Sequence, residues 1–140
     1  MTTNEFNDKL KHIDTWRAKG EHFWVEIKHW FDSIPIHLNY KPEHHWTLYV
    51  KIFPKHPLAQ KASQYKNDYD CDLGDKIYGD FHGGCTYYHK TEDYVQIGCD
   101  YQHLGDERFW EQAEMPSEVL TDAKDLFEFF ENVEENKDDA

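Results

Sequence analysis

Gly84-Cys85-Thr86-Tyr87-Tyr88-His89-Lys90-Thr91-Glu92-Asp93-Tyr94-Val95-Gln96-Ile97-Gly98-Cys99 is the stretch on which the reading of the fold turns. Val95, Ile97 and Cys99 alternate with Tyr94, Gln96 and Gly98, the period-two pattern of a strand with one buried face. The short polar Thr91-Glu92-Asp93 separates this run from residues 84–90, so 84–90 and 93–99 are expected to pair as an antiparallel hairpin. Upstream, Trp46, Leu48, Val50 and Ile52 alternate with Thr47, Tyr49 and Lys51, which predicts a further half-buried strand over 45–53. Pro54 and Pro57 end it, because proline cannot continue a ladder.

Helices are expected at both ends of the chain. After Ser117, the residues Val119, Leu120, Ala123, Leu126, Phe127 and Phe130 fall on one helical face. At the other end, Thr2 and Glu5 have capping-box spacing, and Phe6, Leu10, Ile13 and Trp16 mark a stripe that predicts a helix over 2–17, with Gly20 as its stop. Residues 21–32 are read as a second helix from Phe23, Ile27, Trp30 and Phe31, although their aromatic and branched residues would also suit a strand. Residues 59–80 and 104–116 read as loops. The fold class is α+β: a small antiparallel sheet packed by a C-terminal amphipathic helix and one or two N-terminal helices. Residues 1–134 are expected to form one domain, with a helical extension over 1–40, a motif-bearing core over 45–130 and an acidic tail over 135–140.

Composition narrows the function classes. The 15 basic and 28 acidic residues give a formal charge of -13, which opposes contact with nucleic acid or anionic lipid. Aromatic residues make up 16% of the chain, enough to build a core despite a mean hydropathy of -0.95. No apolar run is long enough for a membrane span or a signal peptide, and three cysteines without CxxC spacing point to a reduced, cytoplasmic protein.

Six of the seven glycines fall between Gly74 and Gly105, and they frame two polar motifs: His82-Gly83-Gly84-Cys85-Thr86 and Gly98-Cys99-Asp100-Tyr101-Gln102-His103-Leu104-Gly105-Asp106. In an antiparallel hairpin the start of the first strand lies beside the end of the second. His82 is therefore expected to meet Asp100, His103 and Asp106 at one edge of the sheet. Three chemistries use such a set. Imidazole and carboxylate donors suit a divalent Zn, Mn or Fe ion. A histidine held by a carboxylate can serve as a general base, making all four candidate catalytic residues. A Cys85 or Cys99 thiolate is the third option, although Cys99 faces with Val95 and Ile97 as an apolar filler. The same residues can also simply cap backbone groups around the glycine turns. His56 is placed at the same edge if the 45–53 strand pairs with the hairpin, and with Gly83 and Gly84 it is a candidate for contacting a cofactor. His44, His45 and His89 have no evident partners in the sequence.

The segments His56-Pro57-Leu58, His82-Gly83-Gly84-Cys85-Thr86-Tyr87 and Ile97-Gly98-Cys99-Asp100-Tyr101-Gln102-His103-Leu104-Gly105-Asp106 resemble a family of small uncharacterised proteins of phages, prophages and their bacterial hosts. That family combines an HP segment, an HGG-x-T-Y strand start and a G-F-D-C-A-H-x-G-D block. This chain departs from it at Cys99, where the family has an aromatic residue, at Tyr101, where it has cysteine, and at Gln102, where it has a small residue. The resemblance spans about residues 45–130 and implies a mobile-element context without an established reaction; residues 1–40 lie outside it. Two function classes follow: a small enzyme or ligand-binding domain built on the histidine and aspartate motifs, or an acidic accessory or inhibitor that binds a protein partner, a nucleic-acid mimic being one form of it.

Overall fold

Residues 23–32 decide how large the sheet is. Phe23, Val25, Ile27 and His29 are buried on one side, and Trp24, Lys28 and Trp30 are half-buried on the other. Period two therefore prevails over the helical spacing of the same aromatics, and Phe23–Asp32 is a strand, β2. The structure is a computed structural model and describes residues 1–9, 13–32, 43–63 and 81–136. The remaining elements are α1 (Thr3–Lys9), β1 (Asp14–Lys19), β3 (Glu43–Ile52), α2 (Ala59–Ser63), β4 (Tyr87–Lys90), β5 (Val95–Asp100), α3 (Glu107–Trp110) and α4 (Ser117–Glu135).

The strands form one antiparallel sheet in the order β1-β2-β3-β5-β4. The 84–99 hairpin forms with Tyr87 opposite Gly98 and Lys90 opposite Val95, its turn tied by the Thr91 N–H donating to the Tyr94 carbonyl at 2.9 Å. The fold class is as read from the sequence, but the layout at the N-terminus is not. Of the expected 2–17 helix, Thr3–Lys9 is helical, residues 10–12 lie outside the described residues, and Trp16 belongs to β1, opposite Ile27. The expected 21–32 helix is β2. The helical extension over 1–40 is thus corrected: β1 and β2 are two strands of the main sheet, held by ten consecutive register pairs between β2 and β3. The loop over 104–116 contains α3, and the 59–80 excursion begins with α2. The rest of that excursion, and the last four residues of the expected acidic tail, lie outside the described residues.

One face of the sheet carries the core. Val119, Ala123, Leu126 and Phe130 of α4 bury their stripe against Phe23, Val25 and Ile27 of β2 and Leu48, Val50 and Ile52 of β3. Each fully buried side chain such as Leu126 or Phe130 contributes roughly 1.5–3 kcal/mol relative to exposure. Leu120, which the helical wheel places on the same stripe, is instead 56% exposed at its border. On the other face, Glu26 is fully buried and held by Arg17 (2.6 Å) and Lys51 (3.2 Å). Those two cations more than offset the upward push of burial, so its carboxyl stays below the usual range. Among the described residues no helix is long and apolar enough to cross a membrane.

A candidate metal centre at the edge of the hairpin

β4 is the edge strand and β5 its neighbour, so the segment entering β4 runs beside the segment leaving β5. Thr86 donates to the Gly98 carbonyl at 2.9 Å, extending the pairing past the start of β4 and carrying His82 toward the loop after Asp100. Gly83 then permits close approach. Its φ is +68°, and a Cβ built there would lie 2.7 Å from Cε1 of His103. The His82 and His103 ring centroids are 6.0 Å apart.

Asp106 organises the centre. Its Oδ1 lies 2.8 Å from Nε2 of His82, its Oδ2 accepts the His103 backbone N–H at 2.9 Å, and Nδ1 of His103 is 3.3 Å from the same oxygen. The Asp106 N–H donates in turn to the His103 carbonyl at 3.0 Å, closing the loop on itself. Burial raises the Asp106 pKa, but the bonds from His82 and the His103 backbone outweigh it and hold the group ionised below the usual range. One donor atom from each of His82, His103 and Asp106 lies within 4.8 Å of the others, a group that could hold a metal ion. Nδ1 of His103 is a buried atom that makes no hydrogen bond of good geometry, its nearest partners being the Asp106 and Asp100 carboxylates.

The other sequence candidates fall into place around this trio. Asp100 is peripheral: its Oδ1 accepts the Gln102 N–H at 3.1 Å and stands 3.6 Å from Nδ1 of His103. Gly84 has φ +89° and open space around it. His56 does not join them. β3 runs antiparallel to β5, with Ile52 opposite Val95, so the chain leaves β3 at the end of the sheet away from Asp100. There His56 is buried against Phe23 and Phe130, with Nε2 donating to the Phe130 carbonyl (3.1 Å) and Nδ1 accepting the Leu58 N–H (3.0 Å). Neither thiol offers a nucleophile. Burial pushes the free Cys99 thiol well above its usual range. Cys85 is disulfide-bonded, which corrects the expectation of fully reduced cysteines.

Sequence reasoning missed Tyr101. It is fully buried, stacks on the His82 ring at 4.4 Å and 15°, and donates from its hydroxyl to Oδ2 of Asp122 at 2.6 Å. Extending the alternation of Val95, Ile97 and Cys99 by one more step reaches it, since its N–H donates to the Trp46 carbonyl at 3.1 Å. A cavity of about 270 Å³ opens beside His82, lined by Arg108, Ser117, Glu118, Thr121 and Asp122. Arg108 and Glu118 pair across it through two hydrogen bonds of 3.1 and 2.7 Å. Comparison with protein-family models, with curated proteins and with solved structures finds no match, and the likeness to phage-associated proteins rests on the motifs alone.

Proposed function

We propose that this protein binds a divalent transition metal through His82, His103 and Asp106, with Asp100 at the border of the site. The observation that carries this reading is the mutual approach of the three donor atoms within 4.8 Å. The buried Nδ1 of His103 adds to it, since it faces the Asp106 and Asp100 carboxylates at 3.3 and 3.6 Å without a hydrogen bond of good geometry. Two neutral imidazoles and one carboxylate suit Zn²⁺, Fe²⁺ or Mn²⁺ and leave coordination positions open toward solvent. Tyr101 fixes the plane of the His82 ring, and Asp106 is held ionised, as a ligand must be. An acidic decoy for a protein partner would not require glycines with positive φ beneath a histidine, which disfavours that reading.

Titration of the protein with Zn²⁺, Mn²⁺ and Co²⁺ by calorimetry and Co²⁺ absorption tests the proposal. One equivalent is expected to bind the native chain. His82→Ala, His103→Ala and Asp106→Asn should each lose roughly 100-fold or more in affinity, since even outer-shell losses cost 10–100-fold. Absence of stoichiometric binding, or a His103→Ala protein that binds like the native one, would sink it. In that event the 2.8 Å His82–Asp106 contact favours an acid–base dyad instead.

A further inference from the structure

A second set of titratable side chains lies outside the metal centre, where β1, β2 and β3 run side by side. Asp14 and His29 are directly paired across β1 and β2, and Oδ2 of Asp14 is 3.1 Å from Nδ1 of His29. Nε2 of His29 is 2.8 Å from Nδ1 of His44 on β3. The His29 ring is buried, with Trp46 at 4.3 Å on one side and Trp16 at 6.5 Å. His44 is half-buried beside the exposed ring of Phe31, 4.6 Å away, and its backbone carbonyl accepts from Nε2 of Gln102 at 3.3 Å. The sequence reading of His44 as a residue without a partner is thereby corrected.

The hydrogen bonds fix the protons. A carboxylate only accepts, so Nδ1 of His29 carries a hydrogen aimed at Asp14. In neutral His29 the Nε2 is then a lone pair, and Nδ1–H of His44 must donate to it. Nε2 of His44 is left as a lone pair, and among the described residues it has no hydrogen-bond partner. A proton arriving at that atom can be matched by transfer of the Nδ1 proton to His29. The positive charge then rests on His29, beside the Asp14 carboxylate and away from the surface.

We propose that Asp14, His29 and His44 form a second reaction centre, a relayed imidazole base that hydrolyses small uncharged aryl esters. Nε2 of His44 removes a proton from water as the water oxygen bonds to the acyl carbon. The ester C–O bond breaks, the phenolate leaves, and the proton held by the imidazoles returns to it or to solvent. Phe31 offers the aryl group an apolar surface next to the base. Burial, followed by the charges of His29 and His45, keeps His44 below the ordinary imidazole range, so its basic form is the one present at neutral pH. Among the described residues, His29 on β2 and the sequence-adjacent His45 on β3 act on His44, and Asp14 on β1 acts through His29. None of them belongs to the metal centre, so this proposal stands or falls apart from the previous one.

The test is hydrolysis of 4-nitrophenyl acetate by the full chain with a chelator present, which removes any contribution from bound metal. The chain has ten histidines, so a rate shared evenly among them would fall by only about a tenth on loss of any one, well short of what positioned general-base catalysis supplies. His44→Ala is expected to lower the rate about tenfold and Asp14→Asn by a similar factor, while His89→Ala leaves it unchanged. Equal small losses from His44→Ala and His89→Ala would overturn the proposal. So would an Asp14→Asn protein as fast as the native chain. Two-bond nitrogen–proton NMR on the native chain provides a check that needs no variant. His44 should be the Nδ1–H tautomer, and finding the Nε2–H tautomer would refute the relay.

Discussion

Replacing Gly83 by alanine separates the geometry of the metal centre from the stability of the fold, provided Gly84→Ala is measured beside it. Both glycines have positive φ, +68° and +89°. An alanine at either position therefore meets the same backbone penalty, roughly 1–2 kcal/mol. The two differ in what the new methyl group touches. At Gly84 there is nothing within 4 Å, whereas at Gly83 the Cβ would stand 2.7 Å from Cε1 and 2.9 Å from Nδ1 of His103. Ordinary carbon contacts begin near about 3.5 Å, so the His103 ring must retreat by close to 1 Å, or the turn must deform. Such a shift is about twice the roughly 0.5 Å tolerance within which a binding constellation works. Thermal unfolding should report similar losses for both variants, about 3–8 °C in Tm for a domain of this size. Co²⁺ titration should then separate them. Gly84→Ala is expected to bind nearly as the native chain does, and Gly83→Ala at least about tenfold more weakly, the order seen when a supporting group is lost. Equal affinities in the two folded variants would refute the claim that Gly83 makes room for a metal ligand.

Two buried ionisable groups make further predictions, both read by denaturant unfolding across pH. Glu26→Gln should cost about 1–3 kcal/mol at pH 7, because it strips Arg17 and Lys51 of their shared buried partner while leaving both able to turn toward water. Since the native Glu26 pKa is lowered, its contribution is full above the ordinary carboxylate value of 4.5 and fades as pH falls through the native value. The gap between native and Glu26→Gln proteins should therefore narrow in acid, and a gap independent of pH would count against the ion pair. His56 is also depressed, chiefly by burial, and its neutral ring uses both nitrogens, accepting from Leu58 and donating to Phe130. Its contribution is full above 6.5 and is lost as pH drops below that value toward the native pKa. His56→Gln should remove that part of the slope just below pH 6.5; an unchanged slope would show that other groups produce it.

How far the sequence could be read depended on which residues set each feature. The alternations of β3 and β5 and the stripe of α4 were legible because each element shows its own period within a few residues. β1 and β2 were not. Phe23, Ile27 and Trp30 satisfy a helical spacing while Phe23, Val25, Ile27 and His29 satisfy a strand. The choice falls to the ladder with β3, a partner twenty residues away in sequence. Similarly, Phe6 and Trp16 share a helical stripe on paper but sit on opposite sides of a helix–strand boundary. The His82, His103 and Asp106 trio was legible because a hairpin dictates which of its ends meet, so His82 and the 100–106 loop converge whatever the rest of the chain does. The Asp14–His29–His44 relay was invisible for the opposite reason: its members are each fifteen residues apart, and only the registers of three strands bring them into line.

The same topology explains why both polar sites lie toward one end of the sheet. β1 begins, β2 ends, β3 begins and β5 ends there, so Asp14, His29, His44 and Asp100 are terminal or near-terminal in their strands. At the other end Phe23, Ile52 and Val95 meet, and His56, buried there, has both nitrogens committed to backbone. An antiparallel sheet capped by a single long helix can bury only so much of its face. Here α4 closes over β2 and β3 and leaves the opposite end to loops. Polar side chains at that end can keep open valences at little cost to the core, which is where two sites of different chemistry can coexist. Gln102 ties them together: its N–H is held by Asp100 of the metal loop, and its side chain holds the His44 carbonyl. Gln102→Ala deletes the bond to the His44 carbonyl but keeps the N–H that Asp100 accepts, so it should slow ester hydrolysis a few-fold, as expected for a supporting rather than a reacting group, and leave Co²⁺ affinity unchanged. An equal loss of metal affinity would refute this division and show that the Gln102 side chain supports both sites.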